Sequence, residues 1–412
     1  MKEDNWFVST LCVFILFLAW APAWADPPQF PQKTTFTTLV TLPRAIEGLT
    51  GDNQGNLYTG GSGLSPCPIY KINMVSRSIV TVGNVQASCG FSGIAFDETG
   101  GLFVADGSAG KIYTFKPNAG SPPNATVFAS GVPGTNGIAF DRDGNLWTGD
   151  GTTSQGRVWK ITGSGANCTA ATPVNCQEVF RIQPMRNGID LGGNVNASTG
   201  ISTQGVGRQN RDFPPGLTTN SLGGQDLVAN GVAFNHQGDM FVIDTARGAL
   251  WKIQFDRQGN LKSPTGCDTT FKANTLCLSN IFVTHPILEG GDGIALDVAG
   301  NVWVDANERN AVAVVTKDGR VEEVFRNPAN SANQRNSADT EAGNQHILEF
   351  PTSPFITGTV FCTSQADGDR RDNSPRSAGE IDASGSTAGK NLGKISCMDQ
   401  DLTIPGMPLP AR

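Results

Sequence analysis

The chain has 412 residues, with 30 Lys plus Arg against 37 Asp plus Glu, for a formal net charge of −7. No basic stripe interrupts this acidic balance, so nucleic acid is excluded as an expected partner. Gly is abundant, at 50 residues and without a collagen period, a composition that fits many tight turns.

In chain order, residues 1–25 read as an export signal. Trp6 to Trp20 is an apolar run of about 15 residues, too short for a comfortable membrane span. Pro22 breaks the run, and Ala23-Trp24-Ala25 has the small-x-small form of a cleavage site. An uncleaved anchor is the alternative. No later segment is long and apolar enough to span a bilayer, so the expectation is a secreted or periplasmic monomer with no membrane span after cleavage. The remaining 26–412 segment is ample for one large core.

Cys12 lies in the signal, leaving eight cysteines, an even number in an exported chain, which favours disulfides over thiolate chemistry. They fall into neighbours along the chain: Cys67 with Cys89, Cys168 with Cys176, Cys267 with Cys277, and Cys362 with Cys397. Loops of this size each contribute about 2–4 kcal/mol. A zinc site would want a paired C-x-x-C spacing, which is absent.

Five segments repeat one hairpin: EGLTGDNQGNLYTG, SGIAFDETGGLFVAD, NGIAFDRDGNLWTGD, NGVAFNHQGDMFVID and DGIALDVAGNVWVDA. Ten residues before Leu57, Leu102, Leu146, Met240 and Val302 stand Glu47, Ser92, Asn136, Asn230 and Asp292, each with a side-chain oxygen. Two further alternating runs follow most hairpins, such as Lys111–Phe115 with Ala125–Ala129 and Arg157–Ile161 with Gln177–Ile182. Four strands per unit, repeated, predict an all-β propeller of four-stranded antiparallel blades. Residues 183–229 lack the hairpin pattern and read as an inserted loop. A sixth, degenerate unit is FPTSPFITGTVFCTSQ, a long polar loop, then GKISCMD. It lacks a fourth strand, which TFTTLVTL near the N-terminus supplies, closing the ring and removing an exposed edge. The expected count is six blades, with seven as the alternative.

In a propeller the innermost strands line a central channel, so residues opening those strands meet at its mouth. Glu47, Asn136, Asn230 and Asp292 would then form a ring of two carboxylates and two amide oxygens. All-oxygen donors suit a hard cation, with Ca²⁺ favoured over Mg²⁺, and with Zn²⁺ or Mn²⁺ as further options. The competing reading is that Asn-Gly and Asp-Gly are turn dipeptides. Asp106, Asp150, Asp244 and Asp305, which close the second strands, read mainly as turn caps. Hairpin-turn residues such as His236 belong to the opposite face.

At these residues the chain resembles the regucalcin (senescence marker protein) and gluconolactonase family of six-bladed propellers, from about Ile46 to Pro410. The resemblance implies a metal-binding glutamate at Glu47 in EGLTGD and metal-site asparagines at Asn136 of TNGIAFD and Asn230 of ANGVAFN. It further implies that Asp292 of GGDGIALD is both ligand and general base. Sugar-lactone members carry an arginine where Gly134 stands and often an aspartate where Gly137 stands. Their substrate-orienting groups therefore differ from those here.

The implied activity is metal-dependent hydrolysis of a small-molecule lactone or ester, with Asp292 as base. Candidate substrate contacts are Ser92, Asp244, His285, His346 and Arg370, the last in the charged run DGDRRDNSP, where Arg370 or Arg371 would grip an anionic group. No G-x-S-x-G elbow supports a serine hydrolase. The alternatives are a non-enzymatic binding platform with a structural ion and a metal-dependent lyase on a related propeller. Sequons stand at Asn124, Asn167 and Asn196.

Overall fold

The computed structural model describes residues 30–183, 229–326, 350–366 and 393–409 together with Leu348, apart from positions 32, 33, 53, 64, 154, 246, 270, 289, 308 and 309. The expected export segment, most of the 183–229 insertion, Asn196, His346, Arg370 and Arg371 lie outside the described residues.

Six antiparallel sheets form the molecule, each starting from a short inner strand and stepping outward. The second, for example, runs Phe91–Phe96, Leu102–Asp106, Lys111–Phe115 and Thr126–Ser130. The third runs Thr135–Phe140, Leu146–Asp150, Arg157–Ile161 and Cys176–Arg181. The outer strands lie within a residue or so of their expected bounds. The sixth sheet takes Pro351–Thr357, Val360–Gln365 and Lys394–Met398 from the C-terminal side, and Phe36–Thr41 pairs outside them. Helix among the described residues is confined to short 3-10 turns, at Leu278–Asn280, at Pro286–Leu288 and at Asn307.

One strand was not expected. Ala166–Asn167 pairs in parallel with Thr126–Ser130, making the second sheet five-stranded. The Cys168–Cys176 loop leans across the blade boundary, with Cys168 N–H donating to Ser130 O at 3.1 Å and Gly165 N–H to Phe128 O at 2.9 Å. All four expected disulfides are present: Cys67–Cys89, Cys168–Cys176, Cys267–Cys277 and Cys362–Cys397.

The D-x-x-G turn has a clear physical role. Asp141 accepts from Asp143 N–H at 3.0 Å, Asn145 N–H at 2.9 Å and Trp147 Nε1 at 2.9 Å. Asp52 and Asp297 repeat this pattern with Tyr58 and Trp303. The carboxylate folds the hairpin and anchors the aromatic residue six positions on. That ring then packs between blades: Tyr58 on Phe96 at 4.8 Å, Trp147 on Phe234 at 5.8 Å and Trp303 on Phe361 at 5.4 Å. One short motif thus sets both the local turn and the blade-to-blade core.

Candidate functional site

The inner strands are not regular where they reach the channel mouth. Pairing skips between Phe91 and Ile94, between Thr135 and Ile138, and between Gly291 and Ile294. Each skip leaves Ser92-Gly93, Asn136-Gly137 or Asp292-Gly293 in a β-bulge, a device that re-aims a side chain at the rim of a sheet.

The glycine after each ring residue is required by close approach of neighbouring blades. A Cβ on Gly48 would stand 2.1 Å from Ser92 O, on Gly93 2.4 Å from Asn136 O, and on Gly137 2.7 Å from Asn230 O. On Gly231 it would be 2.5 Å from Asp292 O, and on Gly293 2.4 Å from Thr352 O. The circuit closes where Thr352 Oγ1 donates to Glu47 O at 2.8 Å, joined by the Ser364 hydroxyl. These Asn-Gly and Asp-Gly pairs are therefore packing features of the inner strands, and the turn-dipeptide reading does not apply to them. Thr352 is the sixth ring member. It escaped the ten-residue rule because Phe361, which pairs with Ile356, follows Thr352 by nine residues.

Three of the four expected donors gather on one side of the ring. Asp292 is 5 % exposed and Asn230, on the adjacent blade, is 1 % exposed, with Gly231 N–H donating to Asp292 O at 2.9 Å between the two strands. Burial first, then the charge of Glu47 and more weakly that of Asp305, hold the Asp292 carboxyl well above its ordinary value, against the hydrogen bond from Asn307. Glu47 is partly buried beside it.

Asn307, fifteen residues after Asp292 as Thr245 is after Asn230, belongs to the same cluster. Its Nδ2 donates to Asp292 Oδ2 at 2.8 Å, and it is 2 % exposed. Asn230 Nδ2 donates to Thr245 Oγ1 at 3.1 Å, and Thr245 Oγ1 donates to Gly291 O at 2.6 Å. Both amides thus have their nitrogens engaged, while Asn230 Oδ1 and Asn307 Oδ1 are buried without a hydrogen-bond partner. Two carboxylates with two orphaned amide oxygens are a donor set that fits a hard divalent cation. Asn136 sits one blade along, its amide packed against Gly151, where a Cβ would meet Nδ2 at 2.7 Å.

The other candidate residues have different partners. Ser92 Oγ donates to Thr135 O at 2.9 Å, tying adjacent inner strands. Asp244 is fully buried and accepts from Arg247 Nη1 at 2.9 Å and Trp251 Nε1 at 3.3 Å, with burial raising its pKa. His285 Nδ1 accepts from Ile287 N–H at 3.2 Å. Asp106 and Asp150 cap turns as expected, accepting from Ala109 N–H at 3.0 Å and Thr153 N–H at 3.0 Å. His236 lines a cleft with Arg142, Trp147 and Phe255 at the hairpin-turn end, the face opposite the ring.

Asp305 needs correcting. Its grouping with Asp106, Asp150 and Asp244 is one residue out of phase, because Ala306 pairs with Gly291 as Asp106 pairs with Phe91. Strand alternation therefore turns Asp305 to the other face. There it is fully buried against the hydroxyl of Thr363 in the sixth blade, and burial holds its pKa well above normal.

Comparison with known proteins adds to this geometry. Residues 212–334 match the family model described as SMP-30/Gluconolactonase/LRE-like region, a span that includes Asn230, Asp292 and Asn307. Among solved structures, a calcium-binding protein, regucalcin, from Agrobacterium tumefaciens str. C58 is 15% identical with a TM-score of 0.52, covering 92% of this chain and 95% of that one. A luciferin-regenerating enzyme is 12% identical with a TM-score of 0.51, covering 91% and 97%. The PQQ-bound aldose sugar dehydrogenase of Streptomyces coelicolor is 12% identical with a TM-score of 0.52, covering 90% and 99%. At these identities the likeness is one of fold. No curated protein matches.

Proposed function

We propose, proceeding from a six-bladed propeller that carries an SMP-30/Gluconolactonase/LRE-like region over residues 212–334, that this chain is an exported, divalent-cation-dependent hydrolase of lactones or related esters. The observation that carries the reading is the pairing of two neighbouring carboxylates, Glu47 and Asp292, with the orphaned oxygens of Asn230 and Asn307. Burying like charges together is costly unless a counter-charge joins them.

Glu47, Asn230 and Asp292 would hold the cation, with Asn136 and Asn307 at the edge of the set. Ca²⁺ is the ion best matched to neutral and charged oxygens on separate strands. Such an ion, when bound, supplies Lewis-acid polarisation of a carbonyl. The protein's own contribution is to fix the donors. Thr245 orients Asn230, Asn307 orients Asp292, and a β-bulge holds Asp292 at the rim of its inner strand. In this reading Asp292 is also the carboxylate that takes a proton from the attacking water. The four disulfides support export.

The test is metal analysis of purified protein before and after chelation, together with a panel of lactones and aryl esters. We expect about one equivalent of Ca²⁺, hydrolysis lost on chelation and restored by Ca²⁺, and both affinity and turnover lost in Asp292→Ala. Full metal affinity and full hydrolysis in Asp292→Ala would overturn the assignment.

A further inference from the structure

Beneath the ring the channel changes character. Two residues past each ring position, Leu49, Ile94, Ile138, Val232, Ile294 and Pro354 line a throat that begins at Gly93, Gly137, Gly231 and Gly293. These same six residues also line a cavity of about 100 Å³ that continues downward, walled by apolar side chains and by Thr50. The far end is covered by the C-terminal segment. Gly406 N–H donates to Gly358 O at 2.8 Å and Met407 N–H to Leu296 O at 2.9 Å, which sets Met407 and Leu409 against the cavity.

Backbone groups of the inner-strand edges add polar surface to the throat and to this cavity, but apolar side chains make up most of the cavity wall, so an apolar group seated there gains by leaving water. The polar ring and this apolar well lie on one axis, so a molecule whose carbonyl met a cation held by Glu47 and Asp292 would direct its other end into the well.

We infer that the substrate is a lactone or ester bearing an apolar substituent, alkyl or phenyl, which seats in the channel beneath the ring while the carbonyl is held above. This rests on the proposed reading for the reacting end alone. The well itself would bind an apolar group with or without turnover.

The experiment uses the full chain with Ca²⁺ present and γ-lactones carrying unbranched alkyl groups from methyl to hexyl, with a sugar lactone for comparison. We expect kcat/KM to rise about fourfold per methylene until the chain meets the floor, and the sugar lactone to be poorest. Toluene binding, followed by NMR with and without Ca²⁺, reads the well independently of hydrolysis. Ala139→Leu and Ala295→Leu, both on the wall of the well, should abolish the length dependence and toluene binding while leaving the methyl lactone's turnover unchanged. The second variant serves if the first does not fold. A flat alkyl series with no toluene binding overturns the inference. Toluene binding lost in the filled variants, with no lactone hydrolysed at all, would sink the hydrolase reading and leave the well standing.

Discussion

At the scale of single residues, the cluster around Asp292 depends on groups that never face the channel with a charge. Asn307 donates to Asp292 Oδ2 at 2.8 Å and leaves its own oxygen buried and unpartnered. Removing it should let the carboxylate rotate, and groups that orient a metal ligand are typically worth 10–100-fold in affinity. We therefore expect Asn307→Ala to weaken Ca²⁺ binding by about that factor in a calorimetric titration, with melting temperature changed far less. An unchanged Ca²⁺ isotherm would remove Asn307 from the site. Glu47, Asn136, Asn230 and Asp292 were legible in the sequence because they share one phase of a repeat. Asn307 escaped because the ten-residue rule looks only from the inner strand to the start of the second. It holds the phase of Thr245, each fifteen residues after the ring residue it bonds, and that spacing is the signal that would have found it.

At the scale of elements, the repeat was readable because strand alternation and the D-x-x-G turn recur every blade. Two features were not. The β-bulges at Ser92, Asn136 and Asp292 leave no compositional trace except the following glycine, which also reads as turn chemistry. A one-residue phase shift in VWVDA likewise disguised Ala306 as the place of an aspartate. The glycines that follow the ring residues give a direct test. A Cβ on Gly231 would lie 2.5 Å from Asp292 O and 2.9 Å from both Gly293 Cα and Ile294 N, all backbone atoms that cannot swing aside. Gly231→Ala should cost about 1–3 kcal/mol of stability in denaturant titration and displace the Asp292 strand, lowering Ca²⁺ affinity with it. A second element-level contact joins the outer strand of the third blade to the Cys267–Cys277 loop of the fourth. Glu178 accepts from Arg181 Nε at 2.6 Å and from Asn274 Nδ2 at 2.9 Å. Burial opposes its ionisation, but these hydrogen bonds outweigh that and lower its pKa below the ordinary 4.5. The ionised form is thus favoured by folding. Its contribution is present at neutral pH and drains away as pH falls through the ordinary glutamate range and then the lowered value. The gap in melting temperature between wild type and Glu178→Gln should accordingly narrow below about pH 4. A gap independent of pH would show that the carboxylate's charge is irrelevant there.

At the scale of the whole molecule, the site spans the seam where the ring closes. Glu47 follows the N-terminal strand Phe36–Thr41, which hangs on Lys394–Met398, and its carbonyl is gripped by Thr352 and Ser364 of the sixth blade. Asp292 comes from the fifth blade, so the two carboxylates meet only if the sixth blade is in place. Cys362–Cys397 staples the second and third strands of that blade across directly opposed residues. Cys168–Cys176 closes a peripheral loop between the second and third blades, remote from the seam. Chain-entropy reasoning gives each bridge about 2–4 kcal/mol, the longer loop more. Stability alone therefore does not distinguish them, but their effects on the site should. Replacing Cys362 and Cys397 together by Ala is expected to lower both melting temperature and Ca²⁺ affinity, because loosening the sixth blade lets Glu47 drift from Asp292. Replacing Cys168 and Cys176 together should lower melting temperature alone. Equal loss of Ca²⁺ affinity in both double variants would mean that ring closure does not position the carboxylates, and that the cluster is held within single blades.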